Sequence, residues 1–170
     1  AFALNRIYQG DASRILGALS ANGQVYLINQ NGIVFGPNAR VDVNTLVAST
    51  LRMSDLAVQQ GILTPAKQGL PAFSGTGGAV TVERGALLRA ASGGRIMILA
   101  PRITNRGTIE TPNGQALLAA GNKVYLTASS DPNLRGLLVE VDVVLDDAQP
   151  SSEPPERDTA HGPLTPADVR

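Results

Sequence analysis

Apolar positions along this chain form two kinds of run. Arg40-Val41-Asp42-Val43-Asn44 alternates with period two, and so do Val80-Thr81-Val82-Glu83 and Val139-Glu140-Val141-Asp142-Val143. Alternation of that kind places the valines on one face of a strand and the polar residues on the other. Val25-Tyr26-Leu27-Ile28, Ile96-Met97-Ile98-Leu99 and Val124-Tyr125-Leu126 are more uniformly apolar. Between the runs sit Asn22-Gly23, Asn31-Gly32, Gly77-Gly78, Gly93-Gly94, Arg106-Gly107, Asn113-Gly114 and Gly121-Asn122. Such pairs predict sharp corners in which glycine or asparagine takes positive φ. A single short helix is expected, capped by Ser54, with Asp55 at its positive end, Leu56 to Gln60 as its body and Gly61 as its stop. At under two turns it needs support from the strands.

The runs repeat. Gly94-Arg95-Ile96-Met97-Ile98-Leu99 is echoed 20 residues later by Gly114-Gln115-Ala116-Leu117-Leu118-Ala119, and Gly85-Ala86-Leu87-Leu88 by Gly107-Thr108-Ile109. Gly23-Gln24-Val25-Tyr26-Leu27 has the same form. A βαβ unit needs about 30 residues or more, so this spacing is too short for one. It suits one lap of an all-β parallel solenoid, three short strands joined by tight corners, with about 4.8 Å between laps. Winding residues 1–145 in this way predicts roughly seven laps. The competing architecture is an antiparallel sandwich, because Asn-Gly is also a strong hairpin signal.

Composition narrows the function. The 170 residues include 14 basic and 14 acidic side chains, one histidine and no cysteine. A balanced charge argues against a nucleic-acid partner. Lack of cysteine removes disulfides, thiolate metal sites and a cysteine nucleophile. The opening Ala1-Phe2-Ala3-Leu4 has no basic segment followed by an apolar one, so the chain reads as a mature or trimmed fragment. Residues 146–170 carry five of the eleven prolines, six acidic residues and two arginines, and read as a flexible acidic tail or linker. His161 lies within it and makes a poor general base.

Three further chemistries find no support in the residues. The body's acidic residues, Asp11, Asp42, Asp55, Glu83, Glu110, Asp131, Glu140 and Asp142, are scattered. A polysaccharide lyase or hydrolase built on a β-helix needs them clustered, often around calcium, so no enzyme activity, catalytic residue, metal or cofactor is expected. Gly75-Thr76-Gly77-Gly78 lacks the Lys-Ser/Thr of a phosphate loop. Phe2, Tyr8, Tyr26, Phe35, Phe73 and Tyr125 are too dispersed to stack on single-stranded nucleic acid, and most are expected in the core or at the ends of the stack.

Several segments are dense and ordered enough to point to a family. These are Asn5-Arg6-Ile7, Ser13-Arg14-Ile15-Leu16-Gly17-Ala18-Leu19, Asn22-Gly23 continuing to Gly36, and Ala48-Ser49-Thr50-Leu51 with Ser54-Asp55. Together they resemble the secretion domain of two-partner secretion exoproteins, of the filamentous-haemagglutinin and high-molecular-weight-adhesin type. The resemblance spans most of residues 4–130. It implies a right-handed single-stranded parallel β-helix over residues 1–145. It also implies export through the periplasm of a Gram-negative bacterium, and capture by periplasmic recognition modules of a dedicated outer-membrane β-barrel transporter. The chain would then fold at the cell surface as a monomer, ahead of a downstream adhesin region of the same chain, or a haemolysin or contact-dependent toxin region.

By the same resemblance, Asn29-Gln30-Asn31-Gly32-Ile33 is the transporter-recognition or folding motif. Asn5, Arg6, Ile7, Ser13, Gly17, Asn22 and Gly23 form a secondary family pattern. The family's Asn-Pro-Asn-Gly-Ile has glutamine for proline here, which leaves the turn less rigid before folding. Its upstream Asn-Pro-Asn-Leu has no counterpart in place; Asp131-Pro132-Asn133-Leu134 comes too late and reads as a turn. From chemistry alone, Asn29 and Asn31 suit a tight corner and can bond backbone groups, Gly32 permits the left-handed step, and Ile33 and Phe35 return to the core.

Overall fold

The computed structural model describes residues 2–130 and 135–140. Asp131-Pro132-Asn133-Leu134 and the tail from residue 146 lie outside the described residues. In chain order the elements are β1 (Phe2–Ile7), β2 (Ser13–Ile15), β3 (Ala18–Asn29), β4 (Ile33–Phe35), β5 (Arg40–Ser49) and β6 (Arg52–Met53). Then come α1 (Asp55–Gln60), α2 (Thr64–Lys67), β7 (Phe73–Ser74), β8 (Ala79–Val82), β9 (Leu87–Ala100) and β10 (Arg102–Asn105). The series ends with β11 (Thr108–Glu110), β12 (Gln115–Ala120), β13 (Lys123–Ala128) and β14 (Arg135–Glu140).

Two sheets are parallel throughout. One runs β1-β3-β5-β9-β11, with β12 also on β9, and the other β10-β8-β4-β2. Phe2 faces Gln24, Gln24 faces Thr45, Thr45 faces Arg95 and Arg95 faces Gln115, so each partner lies one lap further along the axis. The register shifts between Ala21 and Gln24 and again between Val43 and Thr45. At these shifts β3 and β5 turn from one side of the solenoid to the next. A lap therefore has three sides: the first half of a long strand, its second half, and a short strand of the second sheet. The result is a parallel β-solenoid of about five turns, as the 20-residue echo predicts.

There are five laps rather than seven because part of the chain leaves the axis. Between Thr50 and Ala79 it forms β6, α1, α2 and β7, and then rejoins at β8. β13 and β14 also stand outside the laps. They join β7 and β6 in an antiparallel sheet ordered β14-β13-β7-β6. Val124-Tyr125-Leu126 and Val139-Glu140 belong to this sheet, not to a lap. Antiparallel pairing thus occurs, but as a cover on the solenoid and not as a sandwich.

That cover explains the two kinds of apolar run. Where a strand meets only the solenoid interior, alternate residues are buried: Val41 and Val43 point in, while Arg40 and Asp42 are exposed. Where a strand also carries the antiparallel sheet on its back, both faces are buried. Leu27, Ile96 and Ile98 join the interior core with Ile33, Phe35, Val80 and Leu88. Their neighbours Tyr26, Ile28, Met97 and Leu99 join a second core with Leu51, Met53, Phe73, Val124 and Leu126. Burying both faces removes apolar area from water twice for the same length of backbone.

The expected helix is present. Ser54 Oγ accepts from the Ala57 amide at 3.2 Å, and Gly61 ends α1 with φ of 94°. Ala57 and Val58 pack into the second core. Ser54→Ala should lower stability by about 1 kcal/mol, the usual worth of an N-cap, read as a lower urea midpoint at unchanged slope. The sequence reading did not include α2, which has Pro65 at its start and no side-chain cap.

Not every glycine corner behaves as expected. Gly32 and Gly93 do have positive φ, and at Asn113-Gly114 the asparagine has it, at 50°. Gly94 and Gly114 do not. Asn44, Gly94 and Gly114 occupy the same bend on three successive laps. A Cβ on Gly94 would overlap the Asn44 carbonyl oxygen, and one on Gly114 the Gly94 carbonyl oxygen. Glycine is required there by the closeness of stacked backbones rather than by φ.

Candidate functional site

The segment Asn29–Ile33 closes the corner between β3 and β4. Gly32 N donates to Asn29 O at 3.2 Å, which defines a four-residue turn. Asparagine at its first position, glycine at its fourth and negative φ at the two central residues match a type I turn. Gly32 leaves the turn with φ of 129°, a conformation that a side chain would strain. Ile33 and Phe35 then enter the core with no exposed surface.

Asn29 is itself fully buried, on the inward side of β3. Its Nδ2 donates to Asp11 O and to Ser13 Oγ, both at 2.9 Å, and its Oδ1 accepts from Asn31 N at 2.9 Å. Asn31 Nδ2 donates to Gln9 O at 2.6 Å. Ser13 N donates to Gly32 O at 3.0 Å, and Gly78 N to Gln30 O at 2.7 Å. Gln9 to Ser13 belong to the first lap, the turn to the second, and Gly78 to the third. One buried carboxamide thus organises a corner that fastens three laps. Only a side chain with both a donor and an acceptor at this length satisfies it. A Cβ on Gly78 would come within 2.8 Å of Asn31 O, so Gly78 makes a close-packed return onto this corner.

Gln30 occupies the second turn position, where proline is favoured because its fixed φ suits type I. Gln30→Pro should therefore stabilise the domain by roughly 0.4–1 kcal/mol through the unfolded chain, measurable as a raised denaturation midpoint.

Outward, Gln30 and Asn31 form a ridge between two hollows. One, of about 490 Å³, is lined by Arg6, Tyr8, Ile28 and Arg52 among others. The second, of about 390 Å³, is lined by Thr50, Arg52, Thr76 and Gly77 among others.

The secondary pattern is only partly gathered at this corner. Ser13 touches Asn29 directly. Ile7 lies opposite Asn29 in the register and packs on the interior core. Arg6 projects outward, donating to Met53 O at 3.1 Å and approaching Asp55 at 3.4 Å, which ties the first lap to the excursion. Asn5 is exposed on the outermost lap, opposite Leu27. Gly17 O accepts from Arg40 N at 3.0 Å on the side away from the corner. Asn22 and Gly23 sit at the mid-strand bend of β3, where Gly23 does not have positive φ.

Sequence reasoning missed Gln9, Asp11 and Gly78 as partners of the corner. Gln9 and Asp11 contribute carbonyls, which leave no mark on residue identity, and Gly78 contributes an amide at a place where a Cβ would meet Asn31 O. Tyr26, Phe35 and Phe73 are buried, and Phe2 and Tyr8 are exposed on the first lap. Among the described residues no group of three His, Cys, Asp or Glu side chains comes together.

Comparison with known proteins is consistent with this layout. A match of 48 % identity over 50 residues links the chain to a heme/hemopexin-binding protein of Haemophilus influenzae. A second protein of that name, from strain Rd of the same species, is 48 % identical over 48 residues. These matches cover 29 % and 28 % of this chain and only 5 % of each relative. The chain therefore corresponds to a small part of the relatives it matches. The family described as "TPS secretion domain" matches residues 1–151. With that match over most of its length, the chain belongs to the TPS secretion domain family, the secretion domain of two-partner secretion exoproteins.

Proposed function

We propose that residues 4–36, while unfolded, are the segment captured by the transporter's periplasmic recognition modules, and that the Asn29–Ile33 corner then starts the solenoid outside the cell. Exoproteins of this family cross the Gram-negative outer membrane, and the domain implies a cognate outer-membrane transporter. The observation that carries the proposal is the Asn29 network. It fixes three laps with one turn, within the first residues to emerge if export runs from the N-terminal end.

Capture by strand pairing suits the segment. Unfolded, Gln24–Ile28 offers free backbone donors and acceptors along an apolar run, which a receptor sheet edge can accept as an added strand. Once outside, each new lap buries apolar side chains on the one before it, at roughly 25 cal/mol per Å². Growth by neighbour addition gives translocation a direction without ATP. On the last described lap Ala116, Leu118 and Ala120 continue the inward columns of Ile96, Ile98 and Ala100, and Leu118 is 43 % exposed. These columns offer a template for chain that follows.

The domain acts in this reading without catalysis or a cofactor, as a monomer, with no nucleic-acid partner. The region it exports is an adhesin. The resemblance to heme/hemopexin-binding proteins favours a second reading, in which the exported region binds heme or a heme-carrying protein. A haemolysin or contact-dependent toxin would be exported in the same way. Surface plasmon resonance of purified recognition modules against overlapping peptides spanning residues 4–36 tests capture. Binding centred on 24–33 is expected, and absence of binding to every peptide would contradict it.

A further inference from the structure

Asn22-Gly23, Asn31-Gly32 and Asn113-Gly114 offer the same chemistry in the unfolded chain. The amide nitrogen of a glycine has no Cβ beside it, so it reaches the carboxamide carbon of the preceding asparagine with little obstruction. All three asparagines are exposed on the folded domain, so access of water does not separate them. Their hydrogen bonds do.

At the corner, Gly32 N donates to Asn29 O at 3.2 Å and Asn31 Nδ2 to Gln9 O at 2.6 Å. Further along the axis, Gly114 N donates to Thr111 O at 3.0 Å and Asn113 Nδ2 to Ser92 Oγ at 3.2 Å. In both pairs the glycine nitrogen and the carboxamide are tied to different partners. The donated N–H also holds the proton that the nitrogen must lose before it can attack. Asn22-Gly23 is held differently. It lies at the mid-strand bend of β3, where the pairing with β5 skips from Ala21 to Gln24 and the pairing with β1 runs from Gln24 onward. Neither residue therefore has a ladder partner among the described residues. The Asn22 side chain is exposed and makes no hydrogen bond among them. A short segment outside the ladders on both sides opens locally at low cost.

We propose that Asn22 is a site of spontaneous deamidation in the folded domain, and that the fold shields Asn31 and Asn113 from the same reaction. Gly23 N loses its proton and bonds to Asn22 Cγ. The Cγ–Nδ2 bond breaks and ammonia leaves with that proton, closing a cyclic imide. Water then adds to either imide carbonyl and returns a proton to the nitrogen, leaving aspartate or isoaspartate in place of Asn22. Either product adds a negative charge to the bend, and isoaspartate also lengthens the main chain of β3 by one carbon. The proposal is independent of the export reading.

Incubation of the purified 170-residue chain in mildly alkaline buffer, with and without denaturing guanidinium chloride, tests it. Peptide mapping by mass spectrometry follows each asparagine, and isoaspartate methyltransferase labelling measures the rearranged product. In the folded chain Asn22 should react about tenfold or more faster than Asn31 and Asn113, the factor for two hydrogen bonds that must break at those sites and not at Asn22. In denaturant the three should react at similar rates. Asn22→Gln, at an exposed side chain, should remove most of the isoaspartate formed by the folded chain. Reaction of Asn31 or Asn113 as fast as Asn22 in the folded chain would overturn the proposal. So would a lead for Asn22 that persists unchanged in denaturant, no reaction of folded Asn22 on the time scale seen in denaturant, or undiminished isoaspartate in Asn22→Gln.

Discussion

Gly94→Ala should destabilise the domain by on the order of 3 kcal/mol or more, the range of a forced overlap in a close-packed interior. Gly94 lies in the column Asn44–Gly94–Gly114, where three laps bend at the same place, and its Cβ would occupy the position of the Asn44 carbonyl oxygen. That oxygen belongs to β5, which is held on both sides by parallel ladders to β3 and β9, so it cannot withdraw alone. Relief requires the third and fourth laps to separate, which exposes Leu46, Ile96 and their neighbours in the interior core. Urea denaturation followed by circular dichroism measures the loss. Gly10→Ala is the control. Nothing lies within 4 Å of a Cβ at Gly10, and its φ is not positive, so the change should stay within about 0.5 kcal/mol.

Asn29→Ala should cost about 3 kcal/mol. The substitution leaves Asp11 O, Ser13 Oγ and Asn31 N without their partner at a part-buried corner whose Asn29 side chain is itself fully buried. Each buried polar group left unpaired costs roughly 1–3 kcal/mol, and partial relaxation of the turn returns some of the total. Asn29→Asp should fare no better, because it keeps the acceptor for Asn31 N but loses both donors and buries a charge. Ser13→Ala removes one partner and should cost about 1 kcal/mol. A double-mutant cycle between Asn29→Ala and Ser13→Ala should show coupling of about 0.5–1 kcal/mol, because the two side chains share one hydrogen bond. A loss additive within error would place the stabilising contacts of Asn29 elsewhere in its network.

The solenoid was readable because its laps repeat in sequence. Arg95–Leu99 and Gln115–Ala119 keep the same register in the sheet as in the echo, and the valines at 41 and 43 point inward as their alternation requires. The excursion was not readable in the same way. Its strands, Arg52–Met53 and Phe73–Ser74, are two residues each, too short for any periodicity. What they cover is visible only as uniformly apolar runs in strands far away in sequence, at Tyr26–Ile28 and Ile96–Leu99. The estimate of seven laps followed from counting those excursion residues as coil.

The candidate site divides in the same manner. The turn chemistry of Asn29, Asn31 and Gly32 was legible because side-chain type sets turn type. The burial of Asn29 was not, since asparagine at a corner is more often exposed. The corner's partners on the first and third laps are mainly backbone groups of Gln9, Asp11, Ser13 and Gly78, and backbone hydrogen bonding makes no pattern in the sequence.

Export in a Gram-negative host tests the central claim most directly. The 170-residue chain, given a cleavable signal peptide, is produced with and without the cognate outer-membrane transporter, and folded protein in the medium is quantified by protease resistance. The account predicts folded chain in the medium only when the transporter is present, and a marked loss of it for Asn29→Ala. Equal release without the transporter, or retention in the periplasm with it, would contradict the account.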